Sequence, residues 1–416
     1  MSGNGVVIIG GGQAASQLAA SLRESGYGEI IRVATAEAVL PYQRPPLSKA
    51  FLKGEVTAAN LLLRAENFYS RNAIDLALGD RAIAIDRLGR TVQLASGSLL
   101  PYDHLVFATG SRNRKLPVPG ADLDGILDLR SLADAEMIKA RLQGLARVVV
   151  VGAGFVGLEL ACVMRSLGAD VVVLEAADRP LARAVSPEMS RWLLEAHAAS
   201  GIDFRLKTGV ARFLGANGKV TGVETSDGAG IDADLVLVGI GATADMELAR
   251  DCGLAVSNGI HVDAHLATVD PAVHAIGDCA LMERPRGGRK LRLESVQNAV
   301  DQARCLAGTL AGRARPTDSV PWFWSDQGDR RLQIAGLTEG YDKWVVRGDV
   351  GCGRFSIFCY AGDRLLGVES MNQAADHMIA RRLLASSVVL APEQAADASF
   401  DLKSLVVTAG KMTAEA

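Results

Sequence analysis

Two short glycine patterns carry most of the chemistry that this sequence could do. The first, Gly10-x-Gly12-x-x-Ala15, follows the β-branched run Val6 to Ile9 directly and opens an Ala/Leu-rich stretch. Glycines so placed permit a tight turn and let backbone N–H groups approach a pyrophosphate at a helix N-terminus. Alone, the pattern also fits an ordinary strand-to-helix turn, and its position is what favours a dinucleotide. The second pattern, Gly152-x-Gly154-x-x-Gly157, follows Val148 to Val151 and meets every glycine requirement of the fingerprint. Glu175 then ends the next strand, 23 residues after Gly152. A carboxylate there accepts hydrogen bonds from both ribose hydroxyls of NADH and repels the 2′-phosphate of NADPH; the other reading is a surface strand cap.

Other reactive residue types are poorly arranged for catalysis. The six cysteines (Cys162, Cys252, Cys279, Cys305, Cys352, Cys359) include no CxxC pair, and none precedes Cys162. A disulfide framework, a zinc ribbon, an iron–sulfur cluster and a CxxxxC dithiol relay are therefore not encoded. Cys279 reads best as a small buried hydrophobe. Of the six histidines only His261 and His265 are four apart, and Gly259 and Val262 beside them point to loop or strand, so no metal site is expected. Two nucleotide sites without a further catalytic constellation suggest a resident redox group and a diffusible hydride donor, most economically FAD and NADH.

Two βαβ units, each with a turn, a helix and a following strand (Ile30 to Ala34, Val171 to Leu174), must position these turns. They lie roughly 140 residues apart, the spacing two nucleotide-binding domains require. The fold class expected is α/β, with two Rossmann-like domains and a smaller C-terminal α+β domain. Pro117-Val-Pro-Gly120 reads as a linker, Leu235 to Gly241 and His274 to Asp278 read as buried strands ending in glycine, and aromatics concentrate beyond Pro321. The expected boundaries are 1–115 with 245–320 for the FAD domain, 116–244 for the NADH domain and 321–416 for the C-terminal domain. The 416 residues carry a net charge of -3, with 49% hydrophobic and 22% charged residues, which argues against wholesale disorder and nucleic-acid binding. No stretch reads as a leader or a membrane span, so a reducing, cytoplasmic location is expected.

Leu40-Pro-Tyr-Gln-Arg-Pro-Pro-Leu-Ser-Lys49, the Ala108-Thr-Gly110 turn, Ala275-Ile-Gly-Asp278 and Trp322-Phe-Trp-Ser-Asp326 carry a resemblance that spans essentially the whole chain. The sequence resembles the FAD-dependent ferredoxin reductases, a family that includes the reductase components of Rieske-type dioxygenases. The resemblance implies that Gly10, Gly12, Ala14 and Ala15 line the FAD pyrophosphate. Arg44 and Lys49 approach the flavin; Ala82, Thr109, Gly110, Arg130, Gly277 and Asp278 hold FAD further along, and Val296 and Trp324 border its ring. Where relatives place an acid for the FAD adenosine ribose, this chain has Ala36, with Glu37 one residue later. For NADH the implied set is Gly152, Gly154, Val156, Gly157, Glu159, Glu175, Arg183 and Gly241.

The same resemblance places Lys49 and Glu159 beside flavin N5 as an ion pair, a positive charge there favouring the reduced, anionic ring. The alternative is a solvated lysine at a helix start and a carboxylate stabilised by a helix dipole. Arg284 to Arg292 holds five basic residues, a solvated loop or a steering surface for an acidic partner. The implied activity is transfer of electrons from NADH through FAD, one at a time, to a separate [2Fe–2S] ferredoxin. That ferredoxin would serve a cytochrome P450 or a Rieske oxygenase. A reductase of rubredoxin or a small molecule, or an NADH-sensing flavoprotein acting through partners, are the alternatives.

Overall fold

The computed structural model describes residues 3–283 and 290–405. The chain forms two compact units, one of residues 1–44, 57–112 and 242–319, the other of 45–56, 113–241 and 320–416.

The first unit is built on a five-stranded parallel sheet, ordered Val273–Ala275, His104–Phe107, Val6–Ile9, Ile31–Thr35, Ile74–Leu78. Its central strand is uniformly apolar, and Val6, Val7 and Ile8 are fully buried in a core that also takes in Leu18 and Leu22 on one hand and Val92 and Leu94 on the other. The helix Gln13–Glu24 packs its alanine-rich side on the helix Val296–Leu310. Small side chains let the two backbones approach closely. Two three-stranded sheets belong to the same unit, one antiparallel (Ala82–Asp86, Thr91–Leu94, Leu99–Pro101) and one mixed (Ile260–Val262, Ala280–Glu283, Lys290–Leu291).

The second unit contains the duplicate. Its parallel sheet runs Ile202–Leu206, Asp170–Glu175, Arg147–Val151, Leu235–Val238, Ile126–Leu127, with the helix Phe155–Ser166 leaving the central strand through the glycine turn. No helix or strand runs through Pro117 to Gly120. Beyond residue 320 a five-stranded antiparallel sheet follows, ordered Trp322–Gln327, Arg330–Gly336, Arg364–Met371, Arg354–Ala361, Lys343–Asp349. The helices Ala374–Leu384 and Pro392–Ala396 pack on it. The aromatic segment is thus a sheet-and-helix module within the second unit. Buried bonds tie it to the parallel-sheet part: Glu369 accepts from Ser186 N–H (2.8 Å) and Ser186 Oγ (2.6 Å) at the start of the helix Pro187–Ala199.

Candidate functional site

In the first glycine turn, Gly10 has φ +117°, and a Cβ there would lie 2.2 Å from the carbonyl oxygen of Ala108, so only glycine fits. Gly12 begins the helix without a side-chain cap, no acid occupies the first turn, and a Cβ at Gly12 would meet nothing within 4 Å. Free N–H groups therefore face open room, the arrangement a pyrophosphate needs. Ala14 touches Gly277, whose added Cβ would come 3.2 Å from that of Ala14. The Ala15 side chain is fully buried in the core behind the turn. Thr109 Oγ1 donates to Asp245 O at 2.5 Å, Gly110 carries φ +71°, and Asp278 shares a 3.1 Å hydrogen bond with Ser111. Val296 opens its helix behind the Ser295 cap, and Ala82 is a buried strand start.

Glu37, beside the exposed Ala36, is bound by Arg44 Nη2 at 2.5 Å and by the Tyr42 hydroxyl at 2.5 Å. The structure thus joins Glu37 to Arg44. Arg130 belongs to the second unit, where its N–H donates to Asp134 just before the helix Leu132–Lys139. The Cys279 thiol donates to Ile276 O at 3.3 Å, and full burial pushes it up, as suits a packed apolar residue. His261 Nε2 lies 2.8 Å from Ser257 Oγ and its Nδ1 3.1 Å from Lys290 Nζ. Of the basic run, residues 284–289 lie outside the described residues; Arg292 donates to Asp278 O at 3.0 Å.

The second turn repeats the first with tighter packing. Gly152 has φ +103°, and a Cβ there would stand 2.5 Å from Gly239 O. Gly154 starts the helix Phe155–Ser166 uncapped, with no atom nearer than 3.9 Å to an added Cβ. A Cβ on Gly157 would lie 2.0 Å from Gly152 O, so the third glycine is what lets helix and turn meet. Glu175 is clamped at the strand end: Oε2 accepts from Ala153 N–H at 2.7 Å and Oε1 from Ala177 N–H at 2.8 Å. Each oxygen keeps lone pairs for a further donor. Val156 is exposed, as is Arg183, whose Nη2 lies 3.7 Å from a Cβ placed on Gly241.

Lys49 and Glu159 form an ion pair, Nζ to Oε2 at 2.8 Å, with Lys49 also donating to Pro45 O at 3.2 Å. Glu159 is 5% exposed. So deep a carboxylate needs every lone pair answered, and two hydroxyls help: Ser48 Oγ donates to Oε2 at 2.5 Å and Ser325 Oγ to Oε1 at 2.6 Å. Sequence reasoning singled out neither serine, although both sit inside quoted motifs. Trp324 precedes Ser325 on the same strand, half-buried, with Trp322 at 5.5 Å between ring centroids. Strand alternation turns Trp324 to the face opposite the Ser325 hydroxyl.

Residues 4–303 match the family model described as pyridine nucleotide-disulphide oxidoreductase, and residues 322–406 the model described as reductase C-terminal. The chain belongs to the pyridine nucleotide-disulphide oxidoreductases. It is 50% identical to a rhodocoxin reductase of Rhodococcus erythropolis over 398 residues, 96% of this chain and 93% of that one. Among solved structures it is similar to a ferredoxin reductase for the CYP199A2 system of Rhodopseudomonas palustris (48% identity, TM-score 0.94, 96% and 99% of the two chains). It is also similar to the reductase in a covalent putidaredoxin reductase–putidaredoxin complex (38% identity, TM-score 0.95, 99% and 100% covered). This oxidoreductase family uses FAD and a nicotinamide nucleotide, and the two open helix starts fit the pyrophosphates of both. Despite the family's name, this member has no cysteine before Cys162, and its six cysteines are free. Among the described residues no helix is long and apolar enough to cross a membrane.

Proposed function

We propose that this oxidoreductase carries electrons from NADH through bound FAD, singly, to a [2Fe–2S] ferredoxin that serves an oxygenase of the cytochrome P450 or Rieske type. One observation supports this above others: two glycine turns with open helix starts occur in one chain that holds no cysteine pair to take over the electrons. FAD, when bound, accepts a hydride and releases single electrons. The chain's own residues do the rest. Gly10, Gly12 and Ala14 receive one pyrophosphate and Gly152 and Gly154 the other. Glu175, fixed by two backbone N–H groups, takes the ribose hydroxyls and disfavours a 2′-phosphate, which selects NADH. Lys49, held by Glu159, is the fixed positive charge that we assign to the flavin chemistry. Residues 1–115 with 245–320 serve FAD, 116–244 serve NADH, and 321–416 shape the exit toward the ferredoxin. NADH as donor and six free thiols suit a reducing, cytoplasmic compartment.

The experiment is anaerobic mixing of the yellow holoenzyme with NADH, then with a [2Fe–2S] ferredoxin and cytochrome c. Bleaching of the flavin band within seconds and cytochrome c reduction that depends on the ferredoxin are expected. A bleached flavin that persists with ferredoxin present, or equal rates without it, overturns the proposal.

A further inference from the structure

We propose that Ser325, Gln327 and His197 are positioning residues: they form a one-way hydrogen-bond chain from Cys162 to Oε1 of Glu159 that fixes how this carboxylate faces Lys49. The inference rests on the reading of Lys49 and Glu159 above. The links are Cys162 Sγ to His197 Nδ1 (3.5 Å), His197 Nε2 to Gln327 Oε1 (2.7 Å), Gln327 Nε2 to Ser325 Oγ (3.2 Å) and Ser325 Oγ to Glu159 Oε1 (2.6 Å). Ser325, Gln327 and His197 are fully buried.

The direction follows from counting protons. A carboxylate paired with an ammonium only accepts, so the single Ser325 proton goes to Glu159. Ser325 must then accept, which turns the Gln327 NH2 toward it and the Gln327 carbonyl toward His197. His197 therefore carries its proton on Nε2, and its bare Nδ1 accepts from the thiol of Cys162. Reversing the amide would leave one buried group unanswered. Burial supports the first two links: it pushes His197 down to about 4, keeping the ring neutral, and Cys162 up to about 12, keeping the thiol protonated.

Aligned donors polarise one another, so the last bond is stronger than an isolated hydroxyl would make it. The chain is also a closed circuit, because Cys162 and Glu159 lie on the same helix, Phe155–Ser166, while His197 comes from Pro187–Ala199 and the other two from Trp322–Gln327. A rotation of the Glu159 side chain away from Lys49 breaks its bonds to Ser48 and Ser325 and leaves the Ser325 proton, already fixed in direction by Gln327, without its acceptor. Distance and direction together make Glu159 the terminus and not a bystander.

Two measurements test this. In the native holoenzyme, nitrogen-15 NMR should find His197 in the Nε2–H tautomer; an Nδ1–H ring or an imidazolium at pH 7 overturns the proposal, whether or not NADH reduces the flavin. In stopped flow, Ser325→Ala and Gln327→Met should each slow flavin reduction by NADH about tenfold, the double variant no further than the worse single one, and Ser325→Thr should stay near the wild-type rate. NADH binding should be unchanged throughout. Singles that multiply, a rate loss in Ser325→Thr equal to that in Ser325→Ala, or losses that persist undiminished on a Glu159→Gln background overturn it. Should a variant fail to fold, the tautomer in the native protein still decides.

Discussion

The two glycine turns share one pattern, and three of the places where they differ bear on their duties. Where the first has Ala15, fully buried, the second has Gly157, because there the helix presses to within 2.0 Å of where a Cβ would meet Gly152 O. Where the first helix carries Gln17, bonded back to Ser21 of its own helix at 2.9 Å, the second carries Glu159, paired with Lys49. The acid after the second strand also differs: Glu175 is bonded into its turn, while Glu37 is drawn aside by Arg44 and Tyr42. A shared backbone thus makes two pyrophosphate sites, and side chains at a few positions give the copies separate duties. On the proposed reading the second copy takes the mobile nucleotide and, through Glu159, holds the charge of Lys49, and the first takes the resident group.

The largest effect should come from making the second copy like the first at the charged position. Glu159→Gln removes the partner that aims Lys49, and flavin reduction by NADH should slow about a hundredfold, with Lys49→Ala close behind. The reverse swap, Gln17→Glu, buries a carboxylate with no cation and should lower stability by roughly 3 kcal/mol in urea unfolding. If Glu159→Gln reduces at the wild-type rate, the contrast between the copies is only structural.

Next comes the third glycine position. Gly157→Ala should raise the KM for NADH by about tenfold while FAD content, read from the ratio of flavin to protein absorbance, stays full. Ala15→Gly should leave both unchanged and cost only about 1 kcal/mol of helix stability. Equal effects on the two cofactors would dissolve the distinction.

How far the sequence carried this picture depends on the range of the interactions. The turns, their flanking strands and the Val/Ile-rich sheet centres were legible because periodicity and glycine spacing are local properties, as with Val148 to Gly157. The C-terminal segment was legible for the same reason, since the aromatics that concentrate beyond Pro321 fall on the strands Trp322–Gln327, Lys343–Asp349 and Arg354–Ala361. Lys49 and Glu159 are 110 residues apart, and only the resemblance joined them before the 2.8 Å contact was seen. Ser48, Gln327 and His197 carry no signal of their own, because a buried serine, glutamine or histidine looks the same in sequence whether it ends in a network or a loop. The pairing of Glu37 with Arg44 was equally hidden: both were read as separate cofactor contacts.

A smaller effect is expected at the acids. Glu175→Ala should weaken NADH about tenfold and narrow its advantage over NADPH, since both the ribose acceptor and the repulsion go together. Glu37→Ala should leave nucleotide choice untouched and loosen FAD by threefold at most, measured by equilibrium dialysis of the apoprotein. A change of nucleotide preference on altering Glu37 would reverse the assignment of duties.

The smallest effect separates a buried histidine of each unit. Burial pushes both His274 and His197 down to about 4, below the ordinary value of 6.5. The unfolded chain then binds protons that the folded chain refuses, so stability is full above about pH 6.5 and falls as pH drops toward 4. Leucine at either position should flatten that acid loss. At pH 7 the two part company. Among the described residues no side chain bonds either ring nitrogen of His274, whose polar contact is with the Leu266 backbone, so His274→Leu should change the Tm little, whereas His197→Leu strands the Gln327 carbonyl and should lower it by about 2 to 4 °C. A Tm at pH 7 that drops equally in both variants would show that the two rings do the same packing work, and that the polar chain in the second unit adds nothing to its hold.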